Sequence, residues 1–315
     1  MTRYCRQRGA ALLLAMLILT LVATLASGMV WQQWRAIQVE AAERARTQSA
    51  WILMGALDWA RLILREDART GGADHLGEPW AVPLAEARLS TFLAADRNNN
   101  SSAEPDDIEA FLSGTLIDAQ SRWNLRKLID ADGKPVPAQR RVLARLCEQA
   151  GLASDSAERI ELALAKAWAP NAAAIAPQRL SELAWLGIEA ETVRRLEPWV
   201  ILLPGVDTRV NVNTAAAEVI AAAVDGMSLG SAQRLLQERQ RTPLKGDLNA
   251  PANRAYFPPD PQTNLEGVGV SSRYFIIQGR LRLGERVLEE RSLIERRQLD
   301  MVVLSRERIN LRDPN

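Results

Sequence analysis

The chain has 315 residues, enough for one large or two smaller domains, and 47% of them are apolar, which supplies a sizeable core. Its 39 basic residues stand against 38 acidic ones, so no overall basic excess points to nucleic acid. His75 is the only histidine, and Cys5 and Cys147 are the only cysteines, so zinc hydrolysis, Ser-His-Asp and Cys-His chemistry lack their parts.

The first element in chain order is apolar. No charged residue occurs from Gly9 to Trp34, and Ala10–Val30 is long enough to cross a bilayer. A secretory signal peptide competes with a retained anchor, and Leu25-Ala26-Ser27 offers it a small-residue cleavage site. The apolar stretch nevertheless exceeds the roughly 7–15 residues of a signal core. Arg35, Arg44 and Arg46 beyond it match Arg3, Arg6 and Arg8 before it in number. Orientation with the N-terminus inside therefore rests on the leader pattern rather than on flanking charge. Trp31 and Trp34 fall where indole rings favour the membrane edge.

Helical signals continue past that edge. No proline occurs before Pro79, and the first paired glycines are Gly71-Gly72. Ala50, Leu53, Leu57, Ala60 and Leu64 recur at three- and four-residue steps, as on one helix face. A helix from Ala10 to about Arg69 would be roughly 90 Å long at 1.5 Å per residue. An anchor followed by a separate core helix and one continuous stalk are both compatible with this pattern. Trp51 and Trp59 lie on that stretch and are expected under the body or against partner helices, with the remaining tryptophans in the core.

Further on, a strand is expected near Leu116–Ile129, and residues 136–258 read as a helical block. Its candidate helices lie near 138–150, 155–168, 178–185, 189–197, 214–224 and 231–239, punctuated by Pro177, Pro198, Pro204 and Pro243. Asn213 or Thr214 is expected to cap the helix that follows it. Tyr274–Leu283 then reads as a strand, Gly284-Glu285 as a turn, and Val287–Ile294 as the returning strand. Arg291, Arg296, Arg297, Arg306 and Arg308 alternate with acids and read as solvated strand and tail faces. The fold class is α+β: a long N-terminal transmembrane helix and a small antiparallel sheet, with a large all-helical domain inserted into it.

Arg8-Gly9-Ala10 followed by Ala11-Leu12-Leu13-Leu14-Ala15-Met16-Leu17 resembles the leader of type IV pilins and pseudopilins. That resemblance implies cleavage between Gly9 and Ala10 by a prepilin peptidase and methylation of the new N-terminus. Losing Arg3, Arg6 and Arg8 from the 39 basic residues leaves 36 against 38 acidic, a net of −2. Most pilins carry glutamate at mature position five, where this chain has Leu14. In a filament that carboxylate is thought to pair with a neighbour's terminal amine, so a subunit without it suits the tip. Within this superfamily the chain resembles the K-type minor pseudopilin of the type II secretion system, which lacks the glutamate.

Other segments carry the same resemblance. Asp74 to Ala81 matches a D-x-L-x-E-x-W-A segment, and Trp51-Ile52-Leu53 with Ala56-Leu57-Asp58-Trp59-Ala60 matches the helix before it. Ile117-Asp118 through Arg122-Trp123-Asn124-Leu125 resembles D-x-x-G-R-F-N-L, with Ser121 in place of glycine. Leu202-Leu203-Pro204 and Val210-Asn211-Val212-Asn213-Thr214-Ala215 match L-P…V-N-V-N-T-A. The implied organisation is a removed leader (1–9), a long helix (10–70, transmembrane over about 10–31), the first part of a pilin-like α/β domain (71–135), an inserted helical domain (136–258), and C-terminal strands with a tail (259–315). The implied role is non-enzymatic: initiating and capping a short periplasmic pseudopilus that drives export of folded proteins across the outer membrane. The protein would be a single-pass inner-membrane protein with a cytoplasmic N-terminus and a periplasmic body. Implied partners are the I-, J- and H-type minor pseudopilins, the major pseudopilin and the inner-membrane assembly platform.

Two further motifs carry competing readings. Asp96, Asn98, Asn100 and Asp107 fall at positions 1, 3, 5 and 12 of an oxygen-rich segment that resembles an EF-hand loop. Ser101 replaces its turn glycine, Pro105 stiffens it, and Asp107 is shorter than the usual glutamate, so a solvated polar loop competes with calcium binding. No other cofactor is expected. Val210–Ala215 also resembles the opening of helix-hairpin-helix modules, which makes a membrane-anchored DNA-binding or uptake protein the alternative. Arg234, Arg239 and Arg241 follow, but an I-G-x-G-like hairpin and a broad basic excess are missing. A periplasmic enzyme behind a signal peptide is a third reading, weakened by the lack of any nucleophile–base constellation.

Overall fold

A computed structural model describes residues 8–89, 110–169, 175–260, 263–284 and 286–312. The chain divides into two compact units, Met1–Gly55 and Ala56–Asn315.

In the first unit the described residues belong to helix α1, Arg8–Thr70, which also opens the second. Its apolar run is bare of protein: Leu12, Leu14, Leu17, Leu21, Leu25 and Val30 are all exposed. A surface of leucines in water is unfavourable, at about 25 cal/mol per Å² of apolar area, so this stretch calls for lipid or partner helices. Trp31 is exposed at its end, and the Arg35 guanidinium lies 5.7 Å from the Trp31 ring centre. Of the two readings that the sequence left open, α1 is the single continuous helix.

In the second unit α1 ends where the backbone must turn left-handed. Gly71 has φ 65° and Gly72 φ 126°, conformations that side chains with a Cβ rarely adopt. Leu57, Ala60 and Leu64, spaced at three and four residues, are buried with Trp80, Phe275, Ile277, Ile294 and Met301. Trp80 meets Phe275 edge-on with ring centres 5.3 Å apart, and its Nε1–H donates to Glu78 at 2.7 Å. Trp80→Ala is expected to cost about 3–5 kcal/mol, because it opens a cavity between α1 and the sheet. Chemical denaturation of the full chain in detergent checks this; a loss below about 1 kcal/mol would contradict it.

The sheet has five antiparallel strands: β1 (Leu84–Arg88), β2 (Ala110–Asp118), β7 (Tyr274–Leu283), β8 (Arg286–Arg297) and β9 (Asp300–Arg312), side by side in that order. Between β2 and β7 in sequence lie β3 (Trp123–Asn124), α2 (Pro137–Gln149), α3 (Ser156–Ala167), α4 (Ala190–Leu196), β4 (Val200–Ile201), β5 (Val210–Asn211), α5 (Ala217–Ala223), α6 (Leu229–Arg241), α7 (Pro251–Arg254) and β6 (Val268–Gly269). The helical block is therefore an insertion between two neighbouring strands. It has its own core, built around Leu143, Leu146, Ile160, Leu164, Ile220 and Leu235. Ala119, Leu203, Tyr274 and Ile276 form a smaller cluster beside it.

Several expectations need correction. The strand near Leu116–Ile129 stops at Asp118, whose carboxylate accepts the Gln120 N–H and opens a 3-10 turn, Ala119–Ser121. Trp123-Asn124 leaves the sheet and pairs in parallel with Val200-Ile201. Neither Asn213 nor Thr214 caps a helix, because α5 starts later, with Ala216 in the capping position and no side-chain cap. Trp185 is exposed rather than in the core. It lies on a 3-10 helix, Leu180–Leu186, where residues three apart align, so Leu180, Leu183 and Leu186 face inward instead. The C-terminal tail is strand β9, which was not anticipated. Arg296 is nearly buried rather than solvated, with 13% of its side chain exposed.

Candidate assembly helix and buried polar network

The residues proposed for processing and assembly lie on α1. Gly9 and Ala10 fall in its first turn, and Leu14 follows one turn on, exposed in an uncharged surface. Leader residues 1–7 and the calcium candidates Asp96, Asn98, Asn100 and Asp107 lie outside the described residues. In the second unit, an apolar cavity of about 220 Å³ is lined by Ala56, Trp59, Ala60 and Ile63 of α1 and by Gly114 and Gly279 of paired strands. Trp59 is half exposed there.

The motifs quoted from the sequence converge on one buried network. Asp118 is buried, and its Oδ2 accepts from Asn211 Nδ2 at 3.0 Å, Thr214 Oγ1 at 2.5 Å and Ser272 Oγ at 2.7 Å. Its Oδ1 takes the Gln120 N–H at 2.7 Å. Asn211 Nδ2 also lies 3.0 Å from the Asp74 carbonyl. Asp74 in turn accepts the Ser272 N–H at 2.6 Å and faces Arg296. Thus the D of one motif, the first N of another and the D of a third are partners. Each is a polar group that would be costly to bury alone, and together they satisfy one another.

Two more asparagines work as backbone clips. Asn124 accepts the Leu203 N–H at 2.9 Å and donates to the Gly205 carbonyl at 2.7 Å, which fixes the L-P segment. Asn213 bonds both the N–H and the carbonyl of Leu244, at 3.0 and 2.9 Å, and so holds the segment after α6. Arg296 and Ser272 were missed by sequence reasoning. No local pattern marked Ser272, and the alternating charges around Arg296 pointed to solvent.

The geometry weighs against phosphate binding by the hairpin. Arg239 turns inward, donating to the carbonyls of Val212 and Ala215 at 2.5 and 2.6 Å, and burial pushes its guanidinium down to about 10. Arg241 lies 4.0 Å from Glu238, and Arg234 donates to Ser231 at 3.1 Å. The α5–α6 hairpin therefore packs helices. Cys147 is buried in the insertion and burial pushes its thiol up to about 11, far from a thiolate nucleophile.

Comparison with known proteins gives a consistent result. Family models described as type II secretion system protein K match residues 121–205 and 210–252. Similar proteins include type II secretion system protein K of Pectobacterium carotovorum subsp. carotovorum, 28% identical over 92% of this chain and 92% of that one. The protein of the same name from Klebsiella pneumoniae is 29% identical over 92% and 93%. The one from Pseudomonas aeruginosa is 27% identical over 89% and 86%. A chain in the crystal structure of the GspK–GspI–GspJ complex from enterotoxigenic Escherichia coli shares the fold. Its TM-score is 0.60 at 20% identity, covering 85% of this chain and 98% of that chain.

Proposed function

This chain belongs to the protein K family of type II secretion systems, and from that premise we propose that it initiates and caps the tip of the pseudopilus. It is a minor pseudopilin, a structural component of secretion rather than an enzyme. The observation that carries the tip reading is Leu14, one turn into an exposed, uncharged helix. A charged amine buried in lipid without a partner costs several kcal/mol, so each subunit stacked above another needs a carboxylate below it. Leu14 offers none, which suits a subunit with nothing above it. The helical insertion between β2 and β7 supports the same place, since it widens the body beyond what a thin filament accommodates.

The proposed topology has a cytoplasmic N-terminus, a single span near residues 10–31, and a periplasmic body. The proposed partners are the I-, J- and H-type minor pseudopilins, with the major pseudopilin and the assembly platform. The fold likeness to a chain of the GspK–GspI–GspJ complex supports the first two. Small and apolar residues along α1 permit close helix packing in lipid.

Mass spectrometry of the mature N-terminus tests the class: a methylated Ala10 is expected, and a start near Gly28 would overturn it. Leu14→Glu is expected to move the subunit away from the tip or impair initiation while the body keeps its thermal stability. Crosslinking to the other minor pseudopilins reads this out, and unchanged crosslinks with normal secretion would count against the Leu14 argument.

A further inference from the structure

The end of α1 carries a carboxylate cluster that tip assembly does not use. Asp67 sits near the end of α1, Asp74 in the loop after it, and Glu78 just before the 3-10 turn Pro79–Ala81. One oxygen from each lies within 4.8 Å of the others. Among the described residues a single guanidinium, Arg296 of β8, serves this cluster, 2.9 Å from Asp67 and 2.6 Å from Asp74. Glu78 is held by uncharged donors, the His75 N–H at 2.8 Å and Trp80 Nε1–H at 2.7 Å. With all three acids ionised, negative charge exceeds positive by two.

The surroundings do little to correct that excess. Asp207, Arg209 and Arg273 line the same open cavity of about 500 Å³. Arg273 is paired with Glu295 at 3.6 Å, and Asp207 and Arg209 bring one charge of each sign. Asp118 adds a further acid beyond Ser272, and His75 uses Nδ1 to accept the Gly77 N–H. On α1 itself, Glu66 and Arg69 pair with each other at 3.0 Å.

We propose that Asp67, Asp74, Glu78 and Arg296 form a proton-operated latch between the last turns of α1 and the sheet, tightened when Asp67 or Asp74 takes up one proton and loosened when both are ionised. A proton removes one of the mutually repelling charges and leaves Arg296 fewer anions to balance. Burial, then the charges of Glu78 and Asp74, push Asp67 up to about 6 against the lowering effect of Arg296. Burial raises Asp74 as well. An acid raised in the fold stabilises the folded state below its ordinary value of 3.8, and that contribution is lost as pH rises through about 6. The latch therefore tightens as pH falls from about 6 towards 4.

The test is a pH titration of the full chain in detergent micelles, with ¹³C-carboxyl aspartate followed by NMR. Asp67→Asn identifies the Asp67 signal. A midpoint near 6 is expected for Asp67. Glu78→Gln keeps an acceptor for His75 and Trp80, and is expected to lower that midpoint by about one unit. Asp67→Asn is also expected to shrink the gain in stability between pH 7.5 and pH 5. A wild-type midpoint near 4, a midpoint indifferent to Glu78→Gln, or an undiminished pH response in Asp67→Asn would each overturn the latch.

Discussion

Arg296→Met is expected to destabilise the folded body by about 3–5 kcal/mol, the usual cost of removing one partner from a buried ion pair. Arg296 binds Asp67, Asp74 and the Ser272 carbonyl, and its guanidinium lies 4.9 Å from the centre of the Phe275 ring. Methionine keeps much of the stem over Phe275, so the loss isolates the charge rather than the packing. Asp67 and Asp74, with side chains 10% and 3% exposed, would face each other without a cation. Arg296→Lys is expected to lose less, because an ammonium restores charge but cannot fork between two carboxylates. Denaturation of the full chain in detergent, followed by tryptophan fluorescence, measures both variants. A change within about 0.5 kcal/mol for Arg296→Met would show that the pair contributes nothing to the fold.

The second large effect is expected at Asp118. Asp118→Ala leaves the Gln120 N–H without an acceptor and takes one from Asn211, Thr214 and Ser272. Hydroxyls can turn to other oxygens, whereas a backbone N–H cannot, so the expected cost is about 2–4 kcal/mol. Asp118→Asn removes the charge but also turns one accepting oxygen into an NH2 donor, so it is the pH response of this variant, not its stability, that reports on the charge. Burial pushes Asp118 up to about 6, against the lowering effect of its hydrogen bonds. Its contribution to stability is thus complete below 3.8 and disappears as pH rises through about 6. The asparagine variant is expected to respond less to pH between 4 and 6 than the parent. Calorimetry at pH 5 and pH 7.5 compares them, and equal responses would place Asp118 back among ordinary carboxyls.

The parts legible in the sequence were those set by local rules. The end of α1 was marked by Gly71-Gly72, and the helices of the insertion by periodic apolar residues between prolines. The motif letters named Asp74, Asp118, Asn124 and Asn211 without revealing that they meet, because their partners come from distant segments. Asn211 reaches Asp74 and Asp118, and Asn124 reaches Leu203. Arg296 looked solvated because charge alternates around it, yet α1 and the loop before β7 close over it. Strand β9 was read as tail because its apolar run Met301–Leu304 gives way to the charged Arg306-Glu307-Arg308. A bulge between Leu293 and Ile294 adjusts the register, and Arg306 and Arg308 lie against buried Glu290 at 3.0 and 2.8 Å. A long-range register of this kind leaves no local trace.

The route of the chain also fixes an order of events. Asp118 at the end of β2 pairs with Phe275 in β7, so the central seam of the sheet must wait for nearly the whole polypeptide to emerge. Closing so long a loop from a disordered chain carries a large entropic cost and slows folding. The insertion has a core of its own, so its collapse would shorten that loop, and its short parallel pairs, Trp123-Asn124 with Val200-Ile201 and Val210-Asn211 with Val268-Gly269, tie the segments next to β2 and β7 into it. On this view the added helices act as an internal folding guide, delivering the last three strands to a partner made long before them.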